Sequence, residues 1–277
     1  MVGCGIRPAA RAPGARSDPL GTRAPSPPTM VGKAMAPVVH FRAAVALAGR
    51  FPALAGVDLS LDQGEVVVVV GANGAGKTSL LRACAGLLPV TSGSATVLGV
   101  DLTTDHTAVR RYVGLLGHAA PLYDELNAAE NVQVAVRALG LPAAAADGAL
   151  ERLGLTGRLR TTPTGRLSAG QRRRVALAAL VARRPALWLL DEPHAGLDAT
   201  SRTLLAQLIA EAVSDGASVL LSSHEPELSV PLADRVVSMG GGRVTGEQPG
   251  GRRATLTAVP EAGAAAPARH EGATHVA

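Results

Sequence analysis

Gly71-Ala72-Asn73-Gly74-Ala75-Gly76-Lys77-Thr78 follows a run of valines, Val66–Val70, and leads into Ser79-Leu80-Leu81-Arg82-Ala83-Cys84-Ala85. The valines predict a buried strand and the Leu/Ala-rich run a helix, so the glycines fall in a strand-to-helix turn. Glycine lets such a turn close into a concave nest of N–H donors, and the helix points its positive N-terminal end at the same anion. Gly71, Asn73, Gly74, Gly76 and Ser79 therefore belong to a phosphate cradle. Lys77 is placed to reach the β- and γ-phosphates of a nucleotide, and Thr78 to offer its hydroxyl to Mg²⁺. The 27 Lys and Arg residues include only two lysines, Lys33 and Lys77, and one of them stands where a lysine has specific chemistry.

The surrounding composition fits a large α/β domain. The 277 residues are 47% hydrophobic, ample for a core, but only 2% aromatic, so the core has to be packed from Ala, Val and Leu. The net charge of +5 comes from the ends of the chain. Residues 1–36 carry five basic groups against Asp18, residues 250–277 carry three against two, and residues 37–249 are balanced. A neutral core lacks the basic excess of a nucleic-acid-binding domain, and no nucleic-acid partner is expected.

Cys4 and Cys84 make no disulfide framework, and no apolar stretch approaches the roughly 20 residues that span a bilayer. Residues 1–36, Arg/Pro-rich, and 250–277, Ala/Gly-rich, read as disordered tails, with Met30 and Met35 as alternative starts. Between them, strands are expected at Val38–Val45, Leu54–Leu61, Val66–Val70 and, briefly, Ala95–Leu98. Helices with Gly/Pro/Thr breaks follow, such as Ala128–Leu139 and Ala143–Leu153. Alternation then resumes with strands at Ala186–Leu190, Ser218–Leu221 and Arg235–Met239, and a helix over Ala199–Val213. The pattern is a parallel α/β core interrupted by a helical insertion at about 119–175.

Two further constellations carry chemistry. Leu187-Trp188-Leu189-Leu190-Asp191-Glu192 is an apolar strand ending in two carboxylates, and a parallel strand delivers that end to the ligand crevice. Asp191 can hold Mg²⁺ and Glu192 can polarise a water attacking the γ-phosphate. Leu167-Ser168-Ala169-Gly170-Gln171-Arg172-Arg173-Arg174 opens an Ala/Leu/Val helix that runs to about Arg183, with Ser168 as N-cap and Gly170 leaving the backbone approachable. Three arginines in a first turn oppose the helix dipole; an anion docking there would resolve the conflict, and so would solvent or nearby carboxylates.

The phosphate loop, Leu167-Ser168-Ala169-Gly170-Gln171, Asp191-Glu192-Pro193, Gly196-Leu197-Asp198 and Ser222-Ser223-His224 stand in the order found in the ATP-binding-cassette ATPases, which residues 38–249 resemble. The resemblance implies an α/β P-loop NTPase fold, the ABC-type nucleotide-binding domain, with an antiparallel β subdomain and a helical insertion. It implies ATP and Mg²⁺ as ligands and Glu192 as the catalytic base. His224 would be the switch histidine at the γ-phosphate. A second copy or a paralogous ATPase subunit would close over the nucleotide with its own Ser168, Gly170, Gln171 and Asp198. A membrane permease would dock on the helical insertion, which places the chain peripherally on the cytoplasmic face of the cell membrane.

Within the cassettes, Val113-Gly114-Leu115-Leu116-Gly117-His118 and Leu122-Tyr123-Asp124-Glu125-Leu126-Asn127-Ala128-Ala129-Glu130-Asn131 look like the haem-exporter ATP-binding subunits of cytochrome c biogenesis, the CcmA family. His118 stands where most cassettes carry the Gln that binds Mg²⁺ and senses the permease. The aromatic residue that usually stacks on adenine is also displaced: its aligned position falls near Ala48, with Phe51 as the nearby candidate. The resemblance implies an ATPase powering haem export or delivery. Other exporter cassettes, for drug, lipid or peptide, and a soluble assembly ATPase of the iron–sulfur type share the same ATP motifs.

Overall fold

The computed structural model describes residues 36–117 and 121–252. The two expected tails, apart from residues 36 and 250–252, and His118 lie outside the described residues. Strands β1 (Val39–Ala48) and β2 (Phe51–Leu61) form an antiparallel hairpin, and β3 (Val66–Val70) leads into α1 (Lys77–Cys84). Then come β4 (Val90–Val97), β5 (Val100–Asp101) and β6 (Val113–Leu116), and helices α2 (Ala128–Arg137), α3 (Ala144–Arg152), α4 (Gly157–Thr161) and α5 (Ala169–Arg183). The remainder alternates: β7 (Leu187–Asp191), α6 (Ala199–Ser214), β8 (Ser218–Ser223), α7 (Pro226–Ser229), β9 (Arg235–Gly240) and β10 (Arg243–Pro249).

Two sheets result. One is antiparallel in the order β2-β1-β4-β5; the other runs β10-β9-β3-β8-β7-β6, parallel except for β10 at its edge. The period-2 alternation of the parallel strands divides the interior into two cores. Val66, Val68, Trp188, Leu190, Val219 and Leu221 face the helices α2, α3, α5 and α6. Val67, Val69, Leu187, Leu189 and Leu220 face α1 and the antiparallel sheet. A strand buried on both faces has no polar side to alternate with, which is why Val66–Val70 is valine throughout.

Local chemistry sets the helix starts. Asn127 and Glu130 form a reciprocal capping box at α2, and Ser168 and Gln171 form another at α5. Asn131 fastens the approach to α2: its side-chain amide donates to the carbonyls of Tyr123, Leu126 and Asn127 and accepts the N–H of Tyr123 at 2.8 Å. Helices α2 and α3 pack on α5, whose C-terminal part also lies against β6.

Three departures from the sequence reading have physical causes. Strand β10 was not anticipated, because Arg243–Pro249 is polar, largely exposed and paired only with β9. Strand β4 starts five residues before the expected Ala95, its Thr/Ser/Gly stretch being exposed and irregular in register. Gly250–Arg252, expected to open a disordered tail, are tied down instead: the Gly250 N–H donates to Asp234 O at 2.9 Å, and the Arg252 guanidinium meets the Asp234 carboxylate at 2.7 Å.

Candidate nucleotide site

The carboxyl ends of β3 and β7 open onto one pocket of about 480 Å³. Pro52 and Ala53, residues 73–79, Asp191, Glu192, Gly241 and Gly242 line it. The loop needs its glycines for conformation and for closeness. Gly71 has φ +152°, and a Cβ there would stand 2.3 Å from the carbonyl oxygen of Met239. Gly76, φ +105°, caps α1, and no side chain satisfies the first turn of that helix. Gly76, Lys77, Thr78 and Ser79 at this helix start line the pocket, which sets its uncapped N–H groups beside the place an anion would occupy.

Lys77 is 7% exposed, and its ammonium donates to the carbonyls of Gly71 at 2.7 Å and Ala72 at 3.3 Å, folding back along its own loop. Thr78 Oγ1 donates to Asp191 Oδ2 at 2.9 Å. The other oxygen, Asp191 Oδ1, accepts from Ser222 Oγ at 2.5 Å. The carboxylate is thus aimed by two hydroxyls, one from the phosphate loop and one from β8. A hard divalent cation suits this oxygen set, and among the described residues no group of three His, Cys, Asp or Glu forms a closed metal cage. A cation here would depend on phosphate oxygens for the rest of its shell.

Glu192 follows Asp191 in a left-handed conformation, φ +48°, a strain of order 1–2 kcal/mol for a non-glycine residue. Its N–H is held by Ser222, whose backbone and side-chain oxygens both lie at 3.2 Å. Its side chain meets His224: Oε2 accepts the His224 N–H at 3.1 Å and lies 2.6 Å from Nδ1. His224, read from sequence as a γ-phosphate contact, is therefore engaged with Glu192 here.

The signature residues lie elsewhere. Ser168, Gly170, Gln171 and Asp198 do not line the pocket that holds Lys77. Ser168 and Gln171 are joined by their capping box, at 2.9 and 3.2 Å. Asp198 caps α6 by accepting the Ser201 N–H at 2.7 Å, which holds its carboxyl below the usual carboxylate range. Two of the three arginines behind Gly170 have structural partners: Arg172 pairs with Asp124 at 2.5 Å, and Arg173 turns inward onto main-chain carbonyls. Phe51 is 79% exposed at the start of β2, next to the pocket-lining Pro52.

Sequence reasoning missed three buried polar groups. Ser222 could have been noticed as a hydroxyl ending an apolar strand, because such a group needs a partner. Arg173 was hidden in a basic run. His194, 4% exposed, has no hydrogen-bond partner for either ring nitrogen among the described residues, and desolvation lowers its pKa.

The ABC transporter family model matches residues 54–195. The cytochrome c biogenesis ATP-binding export protein CcmA of Cupriavidus pinatubonensis is 38% identical over 212 residues, covering 76% of this chain and 92% of that relative. An sn-glycerol-3-phosphate import ATP-binding protein of Agrobacterium fabrum is 37% identical over 201 residues, covering 71% of this chain and 53% of that one. A solved ATP-binding cassette, dimeric in a post-hydrolysis state with ADP and Pi, superposes with a TM-score of 0.68 at 25% identity, covering 76% of this chain and 98% of its own. Among the described residues no helix is long and apolar enough to cross a membrane. With its phosphate loop, paired carboxylates and two-sheet architecture, the chain belongs to the ABC transporter family, as an ATP-binding and ATP-hydrolysing subunit.

Proposed function

We propose that this ATPase powers the export or delivery of haem for cytochrome c maturation. The observation that carries the cargo is the likeness to a CcmA protein along 92% of that relative's length. The engine itself rests on the carboxylate pair. Lys77 and the loop N–H groups hold the β- and γ-phosphates, and Thr78 and Asp191 would hold Mg²⁺, with His118 added by resemblance. Bound there, the ion neutralises charge on the phosphates. Glu192 takes up the proton of the attacking water, and its strained backbone fixes where the carboxylate points. His224 orients that carboxylate through Nδ1, and its Nε2, 3.6 Å from Glu225 Oε1, can exchange that neighbour for phosphate.

Since Ser168, Gly170, Gln171 and Asp198 lie outside the pocket, they serve the nucleotide of a second cassette, a copy or a paralogue, packed head to tail. Phe51 supplies the ring that stacks on the base. A membrane permease docks on the helical insertion at about 119–175, which puts the protein on the cytoplasmic face of the cell membrane. Likeness to a glycerol-phosphate importer subunit favours a second reading, in which the same engine drives another cargo. Deleting the gene and staining for covalently attached haem decides between them: loss of c-type cytochromes supports the haem assignment, and normal staining removes it. Pull-down from detergent-solubilised membranes should recover permease subunits; recovery of scaffold proteins alone would favour an assembly ATPase.

A further inference from the structure

Arg173 lies in the second turn of α5, behind the capping box, and only 7% of it is exposed. Among the described residues its guanidinium donates to the main-chain carbonyls of Gly117 at 2.6 Å, Asp191 at 3.1 Å and Glu192 at 3.0 Å. Gly117 ends the β6 segment, and Asp191 and Glu192 end β7, so one side chain ties the ligand-facing ends of two neighbouring strands to the helix that carries Ser168 and Gly170. Burying an arginine near a helix N-terminus is unfavourable both for desolvation and for the helix dipole. Packing alone would be served better by an apolar side chain. What only a planar, multi-donor group provides is simultaneous reach to several carbonyls.

The carbonyls it holds bracket Glu192. Ser222 fixes the N–H side of that residue, Arg173 fixes the C=O side, and the φ of +48° lies between them. We propose that Arg173 is a positioning residue for turnover, clamping the left-handed turn at Glu192 so that the carboxylate keeps its aim. The proposal rests on the reading of Glu192 as the base. It also makes α5 a link between the partner-facing Ser168 and the chain's own hydrolytic centre.

The test compares full-length R173M, R173Q and R173K with wild type and with E192Q, measuring steady-state ATPase kinetics, equilibrium ATP binding and thermal unfolding. R173M and R173Q should lose turnover by on the order of ten- to a hundredfold, as a misplacement near 1 Å does, while ATP affinity stays near wild type. R173K, which keeps the charge but loses the fork, should fall between them and wild type. Wild-type kcat in R173M, or in R173K if R173M does not fold, overturns the clamp; so does a loss of ATP affinity in proportion to turnover, the mark of a merely structural role. An active E192Q removes the base assignment alone, and Arg173 is then judged on its own kcat.

Discussion

Glu192 Oε2 sits within hydrogen-bonding distance of two groups of one residue, the backbone N–H of His224 at 3.1 Å and its ring Nδ1 at 2.6 Å. The carboxylate is thereby tethered to the end of β8 by a residue whose own side chain is about half exposed. A carboxylate held at two points of one residue has a fixed direction.

Replacing Glu192 by Gln preserves the shape and an accepting oxygen but removes the basicity. ATP binding should persist while hydrolysis falls by on the order of a hundred- to ten-thousandfold. The variant should accumulate as an ATP-bound dimer in analytical ultracentrifugation. Turnover within a few-fold of wild type would show that another group is the base.

Complementation between two broken chains tests the composite site. Lys77→Ala disables the phosphate loop, and Ser168→Arg disables the surface offered to a partner; either homodimer is impaired at both sites. Mixing the two should rebuild one intact site and restore measurable ATPase. No recovery over a range of ratios, with no ATP-dependent dimer, would remove the head-to-tail arrangement.

Gly71→Ala puts a methyl group 2.3 Å from the Met239 carbonyl at a φ of +152°. Strain of about 1–3 kcal/mol should appear as a lower Tm, and the displaced loop should bind ATP more weakly. Unchanged nucleotide affinity in the variant would mean that the loop conformation is not what binds phosphate.

His194 gives acid sensitivity with a definite sign. Desolvation lowers its pKa in the folded chain, opposed by Glu225 and Glu192 and assisted by Arg202 and Arg173. The unfolded chain takes up the proton first, so the contribution to stability is complete above about pH 6.5 and is lost as pH falls from there toward the lower folded value. His194→Leu should flatten that part of the Tm profile. An identical slope in variant and wild type would assign the acid sensitivity elsewhere.

Much of this fold was legible because its strands are apolar on both faces. Val66–Val70 was bounded correctly from sequence, since valine runs have no rival interpretation between glycines. Leu187–Asp191 runs one residue beyond the apolar stretch, onto a carboxylate that the sheet buries. Strand β8 runs two residues beyond the expected Leu221, because Ser222 and Ser223 are polar yet buried. The same polarity concealed the hydroxyl that aims Asp191. Arg173 was invisible for a different reason: helical periodicity does not distinguish an arginine facing water from one that reaches back across two strand ends. The phosphate loop carried its meaning in spacing, while the supporting groups acquired theirs from contacts over long sequence separations.

Lys77 is one of two lysines in 277 residues, and the other, Lys33, lies outside the described residues. Amine chemistry therefore has almost nowhere to act on this polypeptide besides its α-amino group, Lys33 and the lysine of the phosphate loop. Acetyl donors, cyanate and succinimidyl esters would meet a chain whose cationic surface is guanidinium, and Lys77 itself is 93% shielded while its ammonium is bonded to Gly71 and Ala72. Trypsin would read the protein almost wholly at arginine. Any covalent mark found on an internal lysine thus falls on Lys33 or on Lys77, so that one peptide mass reports whether the loop lysine has been chemically altered.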